Sequence, residues 1–552
     1  MHVLAKFTDL GFLTDLVSTA LSELETQKTL PRIWEKDHTV WRPEPQEIAN
    51  RLDWLTITEE IRTKLPRLEA LRDSLLEAGY TDVLLLGMGG SSLAPEVFGK
   101  VFAEVAPGLR LQVLDSTEPR AVQAHEQQLD LRHTLFIVAS KSGRTVETLS
   151  FFKYFYNRMV NLAGKEEAGE HFLAITDPGS KLATLSEELD FRECFLNNPN
   201  IGGRYSALSY FGLVPAALVG VDVARLLDQA DDMRAACGPN VAPEENPAAW
   251  LGVALGELAK AGRDKLTLIV SPAIAPFGDW VEQLIAESTG KEGTGILPVV
   301  HEPLGDPAVY SDDRLFIHLR LGEDTETEKA LQALVEAGHP VVRIPLEDRY
   351  DLGGQFFLWE LATAVAGARL NIQPFNQPNV EAAKRQARRL IEVYEKEGAL
   401  PTVVEATSPS PEALCNFLAQ ARPRDYVALQ AYVPPTPETW AALQTLRLWI
   451  RDRLHLVTTL GYGPRYLHST GQLHKGDGGN GLFIQFLAHS EAQVPIPNAP
   501  GTPEAALTFA VLVEAQAQGD YQALREAGRR VIHFRLHGDV PAQIRALTPK
   551  RR

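Results

Sequence analysis

The chain has 552 residues, with 54 Lys and Arg against 71 Asp and Glu and a formal charge of −17. That length exceeds a single hydrophobic core and predicts two or three α/β domains, and 45% hydrophobic residues supply the apolar surface they need. The negative charge argues against broad binding to nucleic acids or anionic membranes, both polyanions, yet leaves room for a small anion held by backbone N–H groups and local cations.

Three scattered cysteines, Cys194, Cys237 and Cys415, form no CxxC or Cys/His cluster, so neither a disulfide framework nor a zinc site is predicted and no metal is expected. A reducing, cytoplasmic setting is the simpler reading. The opening MHVLAKFTDLGFLTDL places an Asp inside its apolar stretch and offers no clear cleavage site, and no window of 18 uncharged apolar residues exists. Neither a signal peptide nor a membrane span is expected.

In chain order, residues 1–80 read as helical, with Ile48, Leu52, Leu55, Ile61, Leu65, Leu68, Leu71 and Leu75 at near-helical spacing. From Val83 the pattern changes to a short apolar run ending in Gly87-Met88-Gly89-Gly90, a buried strand feeding a glycine turn. Strand-like runs then alternate with helical stretches: Leu111–Leu114, Thr134–Ala139 and Phe172–Thr176. A second cycle follows Asn246, with Leu266–Val270, Gly295–Val300, Leu315–Leu319 and Val341–Ile344. Such alternation predicts parallel sheets covered by helices. Past the Pro/Ser-rich patch Thr407–Pro411, strands are expected at Tyr426–Tyr432, His455–Leu460, Gly481–Phe486 and Val531–Leu536, with helices at Pro437–Leu454 and Pro503–Ala517. This tail either forms a third unit or completes the second sheet. The expected division is 1–80, 81–240, 246–405 and 406–552.

Two segments carry chemistry. Glycines in Gly87-Met88-Gly89-Gly90-Ser91-Ser92 let the backbone approach a ligand, although the spacing is not GxGxxG. Asp115, after the next strand, would suit a dinucleotide ribose, and a bare structural turn is the other reading. In Ser140-Lys141-Ser142-Gly143-Arg144-Thr145-Val146-Glu147-Thr148, hydroxyls crowd a strand-to-helix turn. Side-chain OH and backbone N–H groups there make a phosphate cradle, against the alternative that one hydroxyl merely caps the helix.

With these residues the chain resembles the phosphoglucose isomerase family. The first segment matches its GxGGSxLxP motif, ending Leu93-Ala94-Pro95, and the second its SKxxxTxET loop. Also similar are Gly202–Ser209, Ala286-Glu287-Ser288-Thr289-Gly290-Lys291 and Asn376–Lys384, so the likeness runs from about residue 80 to 400. The strongest likeness is to the isomerase half of bacterial transaldolase/phosphoglucose isomerase fusions. The 80 or so residues upstream are too few for a (β/α)8 barrel of roughly 250, so a transaldolase is expected only as a separate functional partner.

The resemblance implies an α/β fold of two SIS-type domains (flavodoxin-like, with parallel sheets), a helical N-terminal segment and an α/β C-terminal extension. It implies glucose 6-phosphate/fructose 6-phosphate isomerisation through a cis-enediol(ate), with no cofactor and a homodimeric assembly. Ser140, Ser142 and Thr145 would hold the phosphate with Lys141, near Gly89, Gly90 and Ser91. Glu287 would be the base, Arg204 the stabiliser of enediolate charge, and Lys384 an aid at the sugar ring. A carboxylate and a guanidinium suit those two tasks. The alternatives are a solvated Glu287, a structurally paired Arg204 and a Lys384 on an exposed helix face.

Two departures stand out. The family's ring-opening histidine lies between the catalytic Glu and the Lys, whereas the matching string, His468-Ser469-Thr470-Gly471-Gln472, comes after Lys384 here. His468 is expected to open the ring, with His301 as its competitor. Gly143-Arg144 stands where many members carry Phe-Thr, which suggests a tighter turn and an added charge near the phosphate. Mannose 6-phosphate as a further substrate, and a non-catalytic SIS sugar-phosphate sensor, remain open alternatives.

Overall fold

Apolar side chains on both faces of Asp82–Gly87 (β1) account for the first sheet. Val83 and Leu85 join the core shared with the N-terminal helices, whereas Leu84 and Leu86 pack on the opposite face against Phe151 and Phe155. A strand buried on both faces reads as a continuous apolar run, as this one does. Around it lie β2 (Arg110–Leu114), β3 (Thr134–Ala139), β4 (Phe172–Thr176) and β5 (Glu193–Leu196), all parallel, in the order β2-β1-β3-β4-β5. This computed structural model describes residues 8–401 and 406–548.

The second sheet repeats the plan. Its strands β6 (Lys265–Val270), β7 (Leu297–Val299), β8 (Arg314–Leu321) and β9 (Val341–Leu346) run parallel in the order β7-β6-β8-β9. Thr8–Asp9 adds an antiparallel edge to β9, a strand within the segment expected to be helical. Helices Thr14–Thr26, Thr29–Trp34, Ile57–Arg62 and Leu65–Glu77 take up about half of that segment's described residues.

The tail forms its own sheet. Strands β10 (Tyr426–Tyr432), β11 (Val457–Tyr462), β12 (Gly481–Ala488) and β13 (Arg530–Leu536) are parallel, in the order β11-β10-β12-β13. All three sheets therefore share the doubly wound order in which the chain turns back beside its first strand. Ligands collect in the crevice at that switch point, outside the carboxyl ends of the strands.

Two boundaries in the tail differ from expectation. The strand expected from His455 starts at Val457, because His455 closes the helix Pro437–Leu454 in a left-handed conformation. The helix expected over Pro503–Ala517 is Phe509–Glu526 instead. Leu507–Thr508 first pairs with Pro495–Ile496, and the Thr508 hydroxyl then caps the helix by accepting from the Val511 N–H.

Candidate active site

The carboxyl ends of β1 and β3 lie on either side of the switch point in the first sheet, and both chemistry-bearing loops leave from them. Helix α1 (Val146–Ala163) begins at the second loop, with its first N–H groups toward the crevice. Thr145 occupies the cap position but makes no side-chain capping bond; its Oγ1 lies 3.0 Å from Ser140 Oγ. The capping alternative therefore does not account for these hydroxyls. Gly143 holds φ +64°, and an added Cβ would stand 2.6 Å from the Leu182 nitrogen. Both facts explain the tight turn at Gly143-Arg144.

A cavity of about 520 Å³ opens here. Its wall includes Gly89, Gly90, Ser91, Lys141, Ser142, Thr145, Arg204, Glu287, Lys384 and His468. Ser140 is the expected site residue that does not line it: buried beneath the loop, it reaches the cavity through Thr145. Lys141 pairs with Asp177 at 2.5 Å and donates to Pro199 O at 2.9 Å, so its charge is already partnered. Burial lowers its pKa despite that partner. His301 lies outside this wall, bonded to Asp279 at 2.7 Å.

Asp115, considered above for a ribose, is buried and bonded to Arg465 at 2.8 Å. A structural ion pair explains it.

Glu287 sits on α2 (Phe277–Thr289), whose Trp280, Val281, Leu284 and Ile285 are buried. Its Oε2 accepts from Gln283 Nε2 at 3.1 Å and lies 3.4 Å from Arg204 Nη1. Arg204 is itself held by Ser288 Oγ at 2.7 Å, Gln377 Oε1 at 2.8 Å and Pro374 O at 2.6 Å. The guanidinium is thus fixed before any ligand arrives. Gly90 permits this, because a Cβ there would stand 2.1 Å from Gly203 O, next to Arg204.

The remaining wall comes from α3 (Val380–Glu397) and the tail. Lys384, half-buried on α3, pairs with Glu381 at 3.0 Å. His468 arrives from the short turn Arg465–His468 after β11, and its Nε2 is 3.0 Å from Glu147 Oε1. Gln516 Nε2 also donates to Glu147 Oε1, at 2.7 Å. Burial works to raise the Glu147 carboxyl, but the charge and hydrogen bond of His468, its own backbone N–H and Lys384 carry it below the usual carboxylate range. Gln472, on the helix α4 (Gly471–Gly476), donates to Gly290 O at 2.9 Å and Asn379 Oδ1 at 2.7 Å, tying the end of α2 to the start of α3.

Sequence reasoning missed Glu147 as the histidine's partner, Gln516, and Lys475. The last is a buried cation in the wall, 2.5 Å from Asp520. Only Glu147 carried a signal, as the acidic residue inside the hydroxyl-rich loop.

The phosphoglucose isomerase family profile matches residues 75–295, a span holding both loops, Arg204 and Glu287 but not Lys384 or His468. A glucose-6-phosphate isomerase of Thermosynechococcus vestitus is 31% identical over 379 residues, covering 57% of this chain and 68% of its own. One from Methanocaldococcus jannaschii is 29% identical over 350 residues, with 57% and 85% covered. Among solved structures, a hypothetical protein from Thermus thermophilus superposes with a TM-score of 0.62 at 25% identity, over 70% of this chain and 99% of its own. A glucose-6-phosphate isomerase from Chlamydia trachomatis shares the fold, with a TM-score of 0.53 at 19% identity over 67% and 78% of the two chains.

Proposed function

The chain belongs to the phosphoglucose isomerase family, and from that premise we propose that it interconverts glucose 6-phosphate and fructose 6-phosphate, with the residues gathered in the cavity in the following roles. The observation that carries the reading is a carboxylate and a fixed guanidinium, Glu287 and Arg204, in a cavity that a hydroxyl-bearing helix N-terminus also lines.

The phosphate sits on Ser142, Thr145 and the first N–H groups of α1, where the helix dipole favours a dianion. Opening the pyranose moves one proton from the C1 hydroxyl to O5 as the C1–O5 bond breaks. His468 Nδ1, left free when Nε2 bonds Glu147, serves one end of that transfer, and the Lys384 ammonium serves the other. Both Gln283 and Arg204 engage Oε2 of Glu287, leaving Oε1 for the carbon acid. Oε1 takes the C2 proton and the C–H electron pair becomes the C1=C2 bond of the enediol(ate) as the C1=O π pair moves onto O1; the O2 proton then passes to O1, and as C2=O forms the C1=C2 pair takes the proton back from the same carboxyl at C1. Arg204 offsets the charge that gathers on the oxygens, and because it is already positioned it costs no reorganisation.

A sensor needs the phosphate cradle alone, so the Arg204–Glu287 pair weighs against that alternative. We divide the chain at residues 80, 240–246 and 405. Homodimeric assembly and a functional link to a transaldolase are supported by the family likeness described above. A cytoplasmic location is supported by the substrate, an anion that membranes retain.

The test is a coupled assay from fructose 6-phosphate with EDTA present, comparing wild type with Glu287→Gln. Wild-type turnover is expected, with a loss on the order of 10³-fold in the variant, as befits a general base. Saturable sugar-phosphate binding without turnover in the wild type would instead support the sensor.

A further inference from the structure

His468 comes from the tail, after Arg204, Glu287 and Lys384 in the chain, so something must seat it. Arg465 begins the same short turn, three residues before it. The guanidinium is surrounded by three carboxylates from three separate elements, one of them the helix that bears Glu287. Glu96, on the helix Leu93–Val101 after the glycine loop, contacts Nη2. Asp115, just past β2, is 2.8 Å from Nη1. Asp279, on the helix that bears Glu287, is 3.9 Å away. The planar fork of arginine suits several carboxylates at once, as an ammonium does not.

The rest of the turn follows this anchor. Gln283, one turn before Glu287 on α2, donates to the His468 carbonyl at 2.9 Å. Gly89 lies so close that a Cβ would stand 2.8 Å from the same carbonyl oxygen. Without the cation, Asp115 would lose its ion pair, and Glu96 and Asp279 would keep only Lys100 and His301. The turn would then lose the ion-pair anchor at its first residue, with Tyr466 still donating to Asp520 at 2.6 Å, while the histidine's chemistry stayed unchanged.

We propose that Arg465 is the positioning residue for ring opening: by docking into the Glu96–Asp115–Asp279 pocket it brings the His468 imidazole to the ring oxygen of the sugar phosphate. This rests on the role given to His468 above. Ring opening can be read separately from proton transfer at carbon, because exchange between the α and β anomers of glucose 6-phosphate needs only the ring to open and close. Enzyme-catalysed anomer exchange, measured by exchange NMR, is therefore the readout, beside isomerisation.

Glu287→Gln is expected to lose isomerisation and keep anomer exchange, and His468→Gln to lose anomer exchange. Arg465→Met is expected to slow anomer exchange on the order of 100-fold, the cost of about 1 Å of misplacement, with KM changed by less than about threefold. Arg465→Lys should recover only part of that loss. The decisive variant is the double His468→Gln/Arg465→Met, expected to be no slower than His468→Gln alone, since residues acting as a unit are not additive.

A further loss in the double variant, or normal anomer exchange in Arg465→Met, would overturn the proposal while leaving His468 in its role. Normal anomer exchange in His468→Gln would remove the role of His468 and the proposal with it. If Arg465→Met does not fold, Glu96→Gln and Asp115→Asn carry the same test. Each should slow anomer exchange severalfold and add nothing to His468→Gln; an additive effect would count against the positioning role.

Discussion

His468 and Glu147 answer each other's needs across the 3.0 Å bond that joins them. The carboxylate fixes the ring's orientation and leaves one nitrogen for the sugar; the imidazole lets a buried carboxyl remain ionised. Because the folded state holds Glu147 below its ordinary pKa, its contribution to stability is complete above the unfolded carboxylate value. That contribution is lost as pH falls through the lower folded value. Glu147→Gln should therefore be less stable than wild type near neutrality, with the gap between their melting temperatures closing in acid. The variant should also lose on the order of 10- to 100-fold in kcat with KM little changed, because the imidazole is no longer held for ring opening. A gap independent of pH would mean that the carboxylate is not the stabilising form. This partnership was half legible in sequence: both residues stand in motifs, yet nothing in the spacing says that positions 321 apart meet. Lys475, Gln516 and Arg465 were not legible at all, since each owes its place to partners from distant elements.

At the scale of elements, the site depends on how closely loops approach one another. Gly90 and Gly203 touch backbone to backbone, and this contact sets the depth of the short turn Gly203–Tyr205 that carries Arg204. Gly90→Ala would place a methyl 2.1 Å from a carbonyl oxygen, so one loop must move. We expect kcat/KM to fall at least 100-fold with a stability loss of about 1–3 kcal/mol, the usual cost of overpacking. Thermal melts alongside the coupled assay check both, and near-normal turnover would show that the loops adjust independently of Arg204. The strands leading to these loops were legible because burial on both faces leaves continuous apolar runs. Glu193–Leu196 was not, since an edge strand reading Glu-Cys-Phe-Leu, with only Phe195 buried, carries neither alternation nor a run. The helix Phe509–Glu526 was misplaced for a related reason. A two-residue strand pairing precedes it, and pairings that short leave no periodicity to read.

For the whole molecule, the sign of the charge depends on distance. The chain carries −17 overall, yet the cavity wall sets six cations, Lys141, Arg144, Arg204, Lys384, Arg388 and Lys475, against four carboxylates. A sugar-phosphate dianion roughly 30 Å from the centre meets repulsion on the order of 5 kcal/mol without salt, whereas close to the mouth it meets a net positive wall. Salt screens these two fields in sequence. At about 10 mM the Debye length is about 30 Å and the overall repulsion persists; near 150 mM it is about 8 Å and only the local field survives. The value of kcat/KM should therefore rise with ionic strength, pass a maximum, and fall again once screening reaches into the cavity, with kcat nearly constant throughout. Arg144 and Arg388 are exposed at the wall, away from the reacting carbons, so Arg144→Gln with Arg388→Gln should lower the maximum and flatten the falling limb. A steady decline from the lowest salt, unchanged in that double variant, would mean that the net charge does not reach the substrate and that the recognising cations lie deeper in the cavity.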